Sequence, residues 1–109
     1  MRSFRNVLLA AGLLSSSFAF ADAKIKTFVD IHRNVPKNMT DAQLAADHKK
    51  DLDAEKKHKN VHYTHAFYDK DQGVIMCTCK APTKEECDAV HKEAHDGHGA
   101  DEIFEVTEH

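Results

Sequence analysis

The 109-residue chain has no surplus of positive charge: 15 Lys and Arg stand against 18 Asp and Glu, for a formal net charge of −3. A polyanion-binding surface needs a cationic excess, so nucleic acid is excluded as the expected partner. Apolar runs are missing beyond the first 21 residues, which leaves nothing later in the chain that could cross a membrane. There is no Gly-rich phosphate loop, no Ser/His/Asp grouping and no cofactor fingerprint, and no repeat or low-complexity linker divides the chain. The length leaves room for one domain. Histidine is what the sequence has in abundance, with nine residues.

Met1 to Ala21 has the layout of a secretory signal peptide. Arg2 and Arg5 start it, Val7 to Leu14 form a core too short to span the bilayer, and Ala19-Phe20-Ala21 fits a peptidase pocket before Asp22. Cleavage after Ala21 is expected to leave one domain over residues 22–109, made more acidic by the loss of two arginines. The expected destination is a bacterial periplasm or the exterior, where thiols can oxidise.

The mature chain predicts the order βαββαβ. Lys24 to Arg33 alternates Ile25, Thr27, Val29 and Ile31 with Lys26, Phe28, Asp30 and His32, the period of a strand. Thr40-Asp41-Ala42-Gln43 is a capping box that opens a helix running to about Lys59, with Leu44, Ala45, His48 and Leu52 as a thin inward stripe. Val61–Tyr68 and Val74–Cys79 flank the turn residues Asp69 to Gly73 and read as a hairpin. Thr83 to Glu86 opens a second helix with Cys87, Val90, His91 and Ala94 on one stripe, closed by Gly97 and Gly99, and Ile103–Val106 is the last strand. Two split βαβ units with right-handed crossovers give an α+β ferredoxin-like plait. This is a four-stranded antiparallel sheet of order 4-1-3-2 with both helices on one face.

Strand parity then directs the chemistry. His62 and His65 are three apart and point to opposite faces, so they cannot share an ion. If the hairpin pairs Tyr68 with Val74, His65 stands across the ladder from Cys77, at chelating distance. The face of the first strand bearing Ile25, Val29 and Ile31 is the more apolar and is expected under the helices. Asp30, His32, His65 and Cys77 then project onto the helix-free face and offer the oxygen, nitrogen and sulfur donors that suit nickel, zinc or copper. The competing reading makes His65 a polar strand residue and Cys77 a small buried hydrophobe. His91 and His95, four apart on the second helix, can clamp a metal as a second site or stand as a solvated pair. Cys77 and Cys79 are badly placed to bond each other, Cys87 is expected on the sheet's other side, and no structural disulfide is predicted.

Val61-His62-Tyr63-Thr64-His65-Ala66-Phe67-Tyr68, the acidic turn at Asp71, Ile75-Met76-Cys77-Thr78 and Ala81-Pro82 before a helix resemble the small nickel-binding, ferredoxin-like family long filed as a domain of unknown function. The resemblance extends from Ile25 to Val106, through His32, His91 and Gly97. It implies a plait homodimer that binds nickel through side chains on the sheet and nearby loops, with no established reaction; Cys77 and His65 match the pattern best. The signal peptide, Cys79 and the many histidines depart from it.

Taken together, the expected function is an exported protein that sequesters or carries a transition metal, Ni(II) before Zn or Cu, through His32, His65, Cys77, Asp30, His91 and His95. A homodimer through the helix-free sheet face is the expected assembly. The alternative is a small dimeric plait enzyme, monooxygenase- or isomerase-like, with a histidine base in a pocket on the open sheet face. A plain interaction module with solubilising histidines is a third reading.

Overall fold

A computed structural model describes residues 24–109, and the segment read as a signal peptide lies outside the described residues. Strand β1 spans Lys26–His32, helix α1 Asp41–Glu55, β2 His62–Asp69, β3 Val74–Ala81, α2 Lys84–Ala94 and β4 Glu102–Val106. The sheet is antiparallel with order β2-β3-β1-β4, the expected plait. Among the described residues no helix is long and apolar enough to cross a membrane.

Local chemistry sets the ends of these elements. The Thr40 hydroxyl accepts from the Gln43 amide while the Gln43 side chain accepts from the Thr40 amide, so two orphan donors of the first turn are satisfied. Helix α1 stops at Glu55, four residues before the expected Lys59. Lys56 to Asn60 holds no apolar residue that packing could use to prolong it. At the end of α2, Gly97 takes φ 87° and its amide donates to the Lys92 carbonyl at 2.7 Å.

The helices cover the face of β1 that carries Phe28, Asp30 and His32, not the face of Ile25, Val29 and Ile31. Cross-strand pairs share a face, and Phe28 pairs with Cys79, Asp30 with Cys77 and His32 with Ile75. Phe28, Cys77, Cys79, Ala81, Tyr63 and Val61 meet Cys87 and Val90 of α2 and Ala54 of α1 in the core, with Asp30 and Asp51 buried among them. Hydrophobicity misassigned the face because two of the three inward residues of β1 are polar. The more apolar set is left on the open face, where Phe104 pairs with Val29 and is 47% exposed.

The hairpin register also departs from expectation. Tyr68 pairs with Ile75 and His65 with Thr78, so Ala66 rather than His65 faces Cys77. Between Tyr63 and His65 a bulge restores Tyr63 opposite Cys79. The Thr78 hydroxyl stabilises it by accepting from the His65 amide at 3.0 Å and bonding the Thr64 hydroxyl at 2.5 Å. Two residues oppose one there, and His65 ends on the open face, stacked on Phe67 with ring centroids 5.9 Å apart.

The expectation of no disulfide is overturned as well. Because the helices lie over the face bearing Cys79, Cys87 of α2 sits directly above it and the two are bonded, with Cα atoms 6.3 Å apart. Cys77 remains a buried free thiol. Denatured, unreduced protein should therefore take up one alkylating label by mass spectrometry, against three after reduction, and Cys87→Ser should lower stability by about 2–4 kcal/mol. Three labels without reduction would refute the bridge.

The loop from Arg33 to Thr40 is fastened to the hairpin. The Val35 amide donates to the Gly73 carbonyl at 3.1 Å, and the Tyr68 hydroxyl donates to the Pro36 carbonyl at 2.5 Å. Gly73 has φ 64°, and a Cβ there would come within 2.9 Å of the Val35 carbonyl oxygen. Gly73→Ala is expected to cost about 1–2 kcal/mol in a denaturant melt from the left-handed backbone alone, more if the Val35 loop is displaced.

Candidate metal centre

Asp30 comes from the middle of β1 and Cys77 from the position opposite on β3, so the ladder itself sets a carboxylate beside a thiol. His32 follows two residues on, on the same face, with Nε2 3.1 Å from Asp30 Oδ1. These three donors lie within 4.8 Å of one another, close to the ~4.0–4.6 Å that separates opposite ligands of a cation bound at about 2.0–2.3 Å.

A second group of the same dimensions joins the two helices: Asp51 of α1 with His91 and His95 of α2. His95 Nε2 is 3.1 Å from Asp51 Oδ1, and His91 Nδ1 is 2.9 Å from the same oxygen. The groups touch. The rings of His32 and His91 stack with centroids 4.2 Å apart, and those of His91 and His95 stand at 4.3 Å.

The electrostatics of this floor are those of charges taken out of water. Burial pushes the Cys77 thiol well above the ordinary range, and the carboxylates of Asp30 and Asp51 push the same way. Tyr63 is raised by burial first and by Asp30 second, so its hydroxyl stays protonated, with its one O–H shared between Asp30 Oδ2 at 2.8 Å and the Cys87 carbonyl oxygen at 2.9 Å. Burial raises Asp51, but the imidazoles of His91 and His95 beside it outweigh burial and hold the carboxyl below its usual value. His95 is raised by its bond to Asp51 against a smaller opposing effect of burial.

Whether a cation fits is answered by an orphaned atom. His91 Nδ1 is shielded from solvent and, though close to Asp51 Oδ1, has no properly directed hydrogen bond. A nitrogen and a carboxylate oxygen held 2.9 Å apart without a well-directed hydrogen bond are spaced as two ligands of one ion are. The donors suit a borderline transition metal: thiolate and imidazole favour nickel, zinc or copper over magnesium or calcium.

The sequence-derived candidates thus divide. Asp30, His32 and Cys77 come together, but beneath the helices rather than on the open face. His91 and His95 share a second group beside them. His65 is exposed, opposite Thr78, and lies outside both groups. Asp51 was missed, although Leu44, His48 and Asp51 follow at i, i+4 and i+7, a spacing that places the acid on the inward stripe. The cavity above these donors lies between sheet and helices, so the pocket expected on the open face is also relocated.

With this geometry in view, the chain can be set beside known proteins. The family described as nickel responsive protein SCO4226-like matches residues 28–106, a span that holds both donor groups and the disulfide. The chain belongs to that family. The crystal structure of SCO4226 from Streptomyces coelicolor A3(2) is 41% identical, covers 73% of this chain and 94% of its own, and superposes with a TM-score of 0.66. No curated protein matches. The nickel-linked, ferredoxin-like resemblance drawn from Val61–Pro82 is met at the level of family and fold.

In the metal-free protein the Asp51–His95 pair gives stability a signed pH dependence. The raised His95 contributes fully below the unfolded imidazole value of ~6.5, and its contribution fades as pH rises through the folded value. The lowered Asp51 contributes above ~3.9 and fades as pH falls through its folded value. Thermal melts in chelator should therefore separate wild type from Asp51→Asn most widely between about pH 4 and 6.5, by about 1.5–3 kcal/mol. A gap that is constant with pH would refute the pairing.

Proposed function

We propose that this protein binds nickel in the pocket beneath its helices and serves as an exported sequestering or carrier protein for the ion. Asp30, His32 and Cys77 are the proposed holding set, and Asp51, His91 and His95 supply further donors alongside. The observation that carries this reading is the pair of donor groups, joined by the His32–His91 stack, in a chain whose family is nickel-responsive. Zinc and copper are the expected competitors, copper being the stronger binder of such sites in general. Export is supported by the leader-like first 21 residues and by a disulfide, which persists in oxidising compartments.

The open sheet face supports a homodimer. Phe67 and Phe104 are 52% and 47% exposed, with Val29, Ile31 and Val106 beside them, and a second copy would cover these side chains. Phe104→Asp should then convert a dimer to a monomer in analytical ultracentrifugation while leaving nickel uptake intact.

Binding must displace the proton that burial holds on the Cys77 thiol, so affinity should fall as pH drops. Nickel added to chelator-cleared protein should produce a thiolate charge-transfer absorption that Cys77→Ser abolishes and His65→Ala retains. Tyr63→Phe, which releases Asp30 Oδ2, should keep the absorption but weaken binding about 10- to 100-fold. An absorption unchanged in Cys77→Ser would overturn the assignment.

A further inference from the structure

The pocket is larger and greasier than an ion alone requires. Its volume is about 240 Å³, the share of roughly eight liquid waters. His32, Cys77, Asp51, His91 and His95 line it together with the apolar residues Val35 of the loop, Leu44 of α1, and Ala66 and Ile75 of the hairpin. Apolar side chains interspersed with a few polar donors are the lining of a small-molecule site, in which the polar groups orient a ligand and the apolar ones take its body. At this volume the ligand is a fragment-sized molecule.

Charge narrows its class. Among the described residues no Lys or Arg lines the cavity, whereas Asp47 stands in its wall with Asp51 and Cys77. A carboxylate or phosphate entering would be repelled by these groups; a neutral nitrogen base would not. His48 also lines the cavity, and its Nδ1 is shielded from water without any hydrogen-bond partner. Three donors from Asp30, His32 and Cys77 leave an ion coordinatively open, the condition under which a metal accepts a ligand from outside the protein.

We infer that the pocket takes a small organic nitrogen base, an azole or amine with a compact apolar body, as a second ligand beside the metal. Its nitrogen lone pair coordinates the ion, and its body rests on Val35, Leu44, Ala66 and Ile75. This deepens the nickel reading and rests on it.

The test uses nickel-loaded protein titrated with 4-methylimidazole and, in parallel, with isobutyrate, a carboxylate of matched size. The azole should shift the nickel absorption saturably and the carboxylate should not. Leu44→Trp, which fills the cavity from a residue that offers no metal donor, should keep nickel stoichiometry and weaken the azole response at least tenfold. In case that variant folds poorly, nuclear Overhauser contacts in zinc-loaded wild type should connect the azole methyl group to Leu44 and Ile75. Nickel bound with no azole response, or an azole response indifferent to Leu44→Trp and without those contacts, overturns this inference and leaves the nickel reading standing. Failure to bind nickel at all overturns both.

Discussion

Two carboxylates lie under the helices of this small domain, Asp30 on the sheet and Asp51 on α1, and most of its architecture is arranged around keeping them satisfied. An unpaired buried charge is among the most destabilising features a fold can carry. Asp30 is met by the Tyr63 hydroxyl and the His32 ring, and Asp51 by two imidazoles of α2. The helices can therefore pack on the sheet only in the arrangement that brings those partners in. Tyr63 makes the constraint general, since its hydroxyl stands between Asp30 of β1 and the Cys87 carbonyl of α2 while its own strand is β2. The disulfide fastens the same turn of α2 to β3. Floor and roof of the pocket are thus tied at adjoining points, one covalent and one polar.

Element order, sheet order and both helix starts were legible in the sequence, because capping chemistry and the switch between periods of 2 and 3.6 are local signals. The site was legible only in composition. Asp30, His32 and Cys77 could be grouped by strand parity, since parity survives whichever face is buried. Which face that is depends on what the helices present, and their inward surface is itself polar at His48, Asp51, His91 and His95. The usual inference from apolar parity to burial inverts at a layer built to hold donors. His65 was misplaced for a different reason. A hairpin register is set by the turn and by any bulge, and the bulge at Thr64–His65 depends on the Thr78 hydroxyl, which only the folded pairing brings near. The Cys79–Cys87 bridge was lost with the face: once the helices were assigned to the wrong side of β3, Cys87 could not be placed above Cys79.

The core itself is built of small groups: Ala54, Ala81, Val61, Val90 and three cysteines supply much of its fully buried apolar surface. An interior of this kind gains little from each residue it covers. The bridge compensates through the unfolded state, by restricting the chain between β3 and α2. A cation held by Asp30, His32 and Cys77 would act through the folded state instead. Adding His91 to its partners would link β1, β3 and α2, and Asp51 would extend the connection to α1. Because such ligands are dispersed in the unfolded chain, the free energy of binding is also free energy of folding. In a plait with so slight a core, a site that gathers donors from every layer could not be separated from what stabilises the layers, so ion occupancy and the closeness of helix to sheet would be one equilibrium.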